Sequence, residues 1–143
     1  MLVCCVLSIA IGSGTIFAQS SALGSLNRAS SKEHPPIHLC RESLSLATSR
    51  VFEFVVPANV ISPRLTGMIA TQSSKIEVLV FNQQQYAAFR KGEPGDAVFA
   101  NEIRSGNIDL ALSSIREQKY YLVLNNSSRH PQTVWADFTV SFE

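Results

Sequence analysis

The chain has 143 residues, of which 45% are apolar and 16% charged, and its formal net charge is +1. That length is one domain with room for a short extra segment. Lysines and arginines are scattered among the acids without a basic stripe or run, which argues against a nucleic-acid partner.

Met1 to Ala18 reads MLVCCVLSIAIGSGTIFA. An apolar run from Leu2 to Ile11 gives way to Gly, Ser and Thr and then to small residues. This is the layout of a secretory signal, so residues 1–22 are predicted to be a signal peptide, cut after Ala18 or Ala22. The alternative is an uncleaved N-terminal anchor. That would want about 20 strongly apolar residues, and the Gly-Ser-Gly-Thr break works against it. The expected location is secreted, periplasmic or cell-envelope. A membrane is a partner only if the segment stays uncleaved. The three cysteines are Cys4, Cys5 and Cys40. Cleavage would leave Cys40 alone, so the domain must be held by its apolar core. Residues 23–40 carry clustered Ser and the Pro35-Pro36 pair, without helical or alternating periodicity, and read as a polar linker.

From Arg41 the pattern turns to strands. Leu44 and Leu46 alternate with serines, and Phe52, Phe54 and Val56 alternate with Val51, Glu53 and Val55. Pro57 and Pro63 bracket a loop, since neither can donate to a ladder. Leu65, Gly67 and Ile69 continue the alternation. Ile76 to Phe81 is nearly all apolar and predicts a central strand. The period then changes. Asn82 is placed to cap a short helix, QQQYAAFRK, in which Tyr86 and Phe89 share a face and Gly92 ends the run. A short strand is expected at Ala97 to Ala100, and another through Ile108, Leu110 and Leu112. Two more follow, KYYLVLNN and TVWADFTVSFE, expected to form a C-terminal antiparallel pair. In the second, Val134, Ala136, Phe138, Val140 and Phe142 point one way, and Trp135, Asp137, Thr139 and Ser141 the other. Seven to eight short strands, one short helix and no βαβ rhythm predict an all-β fold over residues 41–143, an antiparallel β-sandwich.

The segments VFEFVVP, RLTGMI, KIEVLVFNQQQYAAFRKG, NIDLAL and YYLVLNNSS with the final strand together resemble the GOLD-like β-sandwich domains, the fold type of the emp24 family. The match covers roughly residues 41–143. A second resemblance is to the jelly-roll-like domains appended to secreted bacterial peptidases. The first resemblance implies a non-catalytic interaction module. The expected partner is a protein or a glycan, and no cofactor is expected.

The candidate sites each stand beside a plainer explanation. Trp135 lies on the polar side of the last strand beside Asp137, where an indole can stack on a sugar or anchor a partner. Its alternative is a Trp covered by a loop. His34, His38 and Cys40 supply imidazole and thiolate within HPPIHLC, a soft donor set for zinc or copper. In extended chain His38 and Cys40 project to the same side. The alternative is a polar linker with a small buried cysteine, or a thiol paired between chains. Glu93, Asp96, Asn101, Glu102, Asn107 and Asp109 supply oxygens in the spacing of no known calcium loop. Asn125-Asn126-Ser127-Ser128 holds two overlapping glycosylation sequons, or is a turn. No Ser lies in Gly-x-Ser-x-Gly and no phosphate-binding glycine loop is present. The expected function is therefore an exported binding module, with a small secreted hydrolase or metal-binding protein as the alternative.

Overall fold

The computed structural model describes residues His34–Phe142. The segment 1–22 and most of the proposed linker lie outside the described residues. Eight strands and one helix follow in order: β1 (Ile37–Leu46), β2 (Ser49–Val56), β3 (Arg64–Thr71), β4 (Ile76–Asn82), α1 (Gln83–Lys91), β5 (Phe99–Ile103), β6 (Ser105–Ala111), β7 (Gln118–Asn125) and β8 (Gln132–Ser141). They form two antiparallel four-stranded sheets, ordered β1-β8-β3-β6 and β2-β7-β4-β5. The fold is the expected β-sandwich with one short helix.

Alternation explains the layering. On β8, Val134, Ala136, Phe138 and Val140 are fully buried, and the residues between them face out. Leu65 and Ile69 on β3, Leu44 and Leu46 on β1 and Ile108 on β6 complete that sheet's inner face. Phe54, Val56, Ile76, Val78, Val80, Tyr120, Leu122 and Leu124 come from the other sheet, and one cluster joins both sets. Each such side chain contributes about 1.5–3 kcal/mol on removal from water. β7 and β4 are buried on both sides, because a second small cluster of Leu79, Phe81 and Val123 lies on their outer side.

Three expectations are corrected. β7 and β8 are not a hairpin pair: β7 pairs with β2 and β4, and β8 with β1 and β3. The segment between them crosses from one sheet to the other. A buried polar cluster fastens that crossing. Asn126 donates through Nδ2 to the carbonyls of Leu46 (2.8 Å) and His130 (2.9 Å). Gln132 donates through Nε2 to Asn126 Oδ1 (2.9 Å), and Gln132 Oε1 accepts from the Ser74 amide (3.2 Å). Asn126 is only 6% exposed, so its sequon is a structural crossing and not a free glycosylation loop. Second, β1 begins at Ile37, inside the residues 23–40 proposed as linker. The register shifts between His38 and Cys40. That bulge breaks the alternation by which a strand is recognised in sequence. Third, the short strand expected at Ala97–Ala100 is displaced to Phe99–Ile103.

The helix follows the predicted bounds. Asn82 Oδ1 accepts from the Gln85 amide (2.9 Å), and Gln85 Oε1 accepts from the Asn82 amide (3.0 Å), a reciprocal cap. Gly92 ends the helix at φ 71°, a conformation that favours glycine.

Gly67 faces inward on β3, opposite Phe138 on one side and Ile108 on the other. The Phe138 ring lies directly over it. A methyl group there would also meet the Asp137 carbonyl oxygen at 2.5 Å. Because that neighbour is backbone, it cannot rotate away. Gly67→Ala is expected to lower stability by about 2–3 kcal/mol through overpacking, read as a lower urea midpoint with an unchanged slope.

Candidate functional site

The outer face of the β1-β8-β3-β6 sheet carries most of the sequence candidates. Residues directly opposite in an antiparallel pair share a face, so the register writes out its rows. One row runs Ser43, Trp135, Ala70, Ser105. The next runs Arg41, Asp137, Met68, Asn107, and the third His38, Thr139, Thr66, Asp109. Trp135 is 37% exposed and Met68 44%. Both lie on the two central strands of the sheet, on adjacent rows and adjacent strands. The face thus presents two large, partly exposed apolar side chains near its middle.

Charge on this face is balanced in pairs. Arg64 holds Asp109 through Nη2 (2.7 Å) and Nε (2.8 Å). Arg41 Nε lies 3.5 Å from Asp137 Oδ2. Both pairs are exposed and add little stability, but they fix donors and acceptors around the Trp135–Met68 pair. Trp135 and Asp137 were both legible in the sequence. Met68 was missed. Its signal was its position between inward Gly67 and Ile69, at outward parity in an alternating strand.

The proposed metal set does not converge. The bulge places His38 opposite outward Thr139 and Cys40 opposite inward Phe138, so these two lie on opposite faces of the sheet. His38 Nδ1 is within hydrogen-bond reach of Thr139 Oγ1 (3.1 Å). The His34 ring packs edge-on against Phe142, centroids 5.9 Å apart. Among the described residues, no three His, Cys, Asp or Glu side chains form a group that could hold a metal. The oxygen-rich set separates as well. Glu93 and Asp96 line one cleft, Asn101 and Glu102 sit on β5, and Asn107 and Asp109 belong to the other sheet.

Helix α1 covers part of the opposite outer face. Tyr86 stacks on Tyr121 at 3.9 Å between centroids, and Phe89 on Phe81 at 4.8 Å. Two clefts flank the helix. One of about 330 Å3 is floored by Leu79, Phe81 and Phe89 and edged by Glu77, Glu93 and Asp96. The other, about 570 Å3, lies beside the helix start, among Asn82, Gln83, Arg116, Glu117 and Lys119. Glu53 bonds the Lys119 ammonium and holds its pKa above the ordinary lysine value.

No family model matches the chain, and no curated protein matches it. Among solved structures it is similar to a carbohydrate-binding module (TmCBM61) in complex with β-1,4-galactotriose. That similarity has 12% identity, 71% of this chain, 69% of that chain and a TM-score of 0.41.

Cys40 packs at the rim of the core as a free thiol. Burial pushes its pKa from about 9 up to about 11, partly offset by a hydrogen bond from the Phe138 backbone. A raised pKa keeps the native thiol protonated where the unfolded thiol ionises. The native state therefore loses stability as pH rises from about 9 to about 11. Read by peptide mass at Cys40 alone, apart from Cys4 and Cys5, iodoacetamide should modify the native chain slowly at pH 8 and the urea-unfolded chain rapidly, with the native rate climbing only toward pH 11. Equal rates at pH 8 would contradict the buried-thiol assignment.

Proposed function

We propose that the chain is an exported, non-catalytic binding module. Its ligand face is the outer face of the β1-β8-β3-β6 sheet, and its ligand is a neutral glycan laid across that face. The observation that carries this is the exposed Trp135 beside Met68 on the two central strands, with both nearby carboxylates matched to arginines. An indole offers a flat apolar surface to the carbon–hydrogen face of a sugar ring. Arg41, Asp137, Thr66, Thr139 and Asn107 offer donors and acceptors to hydroxyls. The paired charges leave little net field, which favours a neutral, hydroxyl-rich ligand over an ionic one. Export is supported by the apolar, small-residue-terminated Met1–Ala22 segment.

Affinity electrophoresis against soluble neutral polysaccharides tests this. At least one should retard the wild type. Trp135→Ala should weaken that retardation about tenfold or more, as for a central aromatic contact, while the melting temperature stays close to wild type. Retardation that survives Trp135→Ala, or no retardation by any neutral polysaccharide, would sink the proposal.

A further inference from the structure

The outer face of the β2-β7-β4-β5 sheet carries a cleft that the Trp135 face does not use. Its rows follow from the register. One runs Ser49, Asn125, Glu77, Glu102, and the next Val51, Val123, Leu79, Ala100. Helix α1 packs over β4 and β7 and ends at Gly92. The chain then returns through 93–97 toward β5, the edge of the sheet. The space between the helix end, that return and the strands is the cleft of about 330 Å3 floored by Leu79, Phe81 and Phe89. Its walls are fixed. The Gly92 and Glu93 amides donate to the Phe89 and Ala88 carbonyls (3.0 and 3.1 Å), and the Val98 amide donates to the Val80 carbonyl (2.8 Å). Glu77 Oε2 accepts from Asn125 Nδ2 (2.9 Å). A cleft held this way exists before a ligand arrives, which lowers the cost of filling it.

The lining carries three carboxylates, Glu77, Glu93 and Asp96, and no lysine, arginine or histidine. Elsewhere the sandwich matches acids to bases: Glu53, Asp109 and Asp137 each lie against a basic side chain. Here the matching stops. Glu77 and Asp96 make no ion pair among the described residues, and Glu93 has only an exposed contact with Lys91 at 3.8 Å. Glu102, also without an ion pair among the described residues, is the cross-strand partner of Glu77. Like charges directly opposite in a sheet cost stability, and a cation beside them relieves that cost.

The floor supplies the other half of the recognition. Leu79 and Phe81 are almost wholly buried, while Phe89, stacked on Phe81, is 39% exposed. Phe89 thus keeps free surface for an apolar body, and an aromatic face attracts a cation. Among the described residues no three acidic side chains group as a metal site would. Negative charge spread along a rim over an apolar floor suits a bulky, singly charged ion instead. The volume lies near the lower end of the range for small-ligand sites, about 300–1,000 Å3. That admits a ring or branched alkyl group with one ammonium, and not a folded partner. We propose that this cleft binds a small organic ammonium ion with an aromatic or branched alkyl body. The body lies on Phe89 and the cleft floor, and the ammonium sits among Glu77, Glu93 and Asp96. The site is on the other sheet from Trp135, so the inference is independent of what that face binds.

The test is an amide-resolved NMR titration of the full chain at neutral pH and low salt, with phenethylammonium as the probe. Saturable shifts are expected at Leu79, Phe81, Phe89, Asp96 and Ala97. The alcohol 2-phenylethanol keeps the body without the charge, and methylammonium keeps the charge without the body. Each should bind at least about tenfold more weakly. The double variant Glu93→Gln/Asp96→Asn, altered only at exposed positions, should melt as the wild type does and bind phenethylammonium about tenfold more weakly. Salt at about 0.5 M should weaken binding as well. Equal binding of 2-phenylethanol, shifts centred on Trp135, or an affinity unchanged in the double variant would overturn the proposal. So would the absence of saturable shifts, or shifts at these amides from a lysine-rich peptide with none from the free ammonium ion.

Discussion

The inward face of β8 is the constraint on which the rest depends. Val134, Ala136, Phe138 and Val140 are all fully buried, on a strand held between β1 and β3. A strand has a period of two, so burying these four commits Trp135, Asp137 and Thr139 to the opposite side. A slip of one residue would bury Asp137 and expose Phe138. The penalty for an unpaired buried carboxylate added to the loss of an aromatic from the core far exceeds any gain from hiding Trp135. The exposed indole is thus a consequence of core packing as well as a candidate for use. Gly67 serves the same constraint, since only a residue without Cβ leaves room for the Phe138 ring.

The two ends of the sandwich are built differently. At one end, Asn126 and Gln132 close the crossing between sheets with a fully bonded polar cluster, and among the described residues no buried side-chain nitrogen or oxygen lacks a partner. Such a network is costly to break and fixes how β7 leaves one sheet and β8 joins the other. At the opposite end the loops 57–63 and 112–117 are tied by backbone and serine hydrogen bonds, and their Ile61 and Ile115 remain in water. Polar satisfaction holds one end, and the other leaves apolar surface unspent.

Much of this was legible in the residues. The alternation of β8, the all-apolar β4 and the Asn82-to-Gly92 helix each carry a periodic or capping signal that local physics enforces. That β7 and β8 lie in different sheets and do not pair with each other was not legible. A polar turn of Asn, Ser and Pro serves a hairpin and a sheet-to-sheet crossing equally, and only the burial of Asn126 and Gln132 separates them. The bulge at Leu39 hid the start of β1 and set His38 and Cys40 on opposite faces, where a regular strand would have aligned them. Trp135 and Asp137 could be placed on one face from parity alone. Their companions Met68 and Arg41 could not, because register across strands is a long-range property.

The most direct test of the central claim is an amide-resolved NMR titration with neutral oligosaccharides. The account predicts perturbations confined to the outer face: the Trp135 indole N–H first, then the amides of Thr66, Met68, Asp137 and Thr139. Perturbations centred on the clefts beside α1, or none with any neutral oligosaccharide, would contradict it.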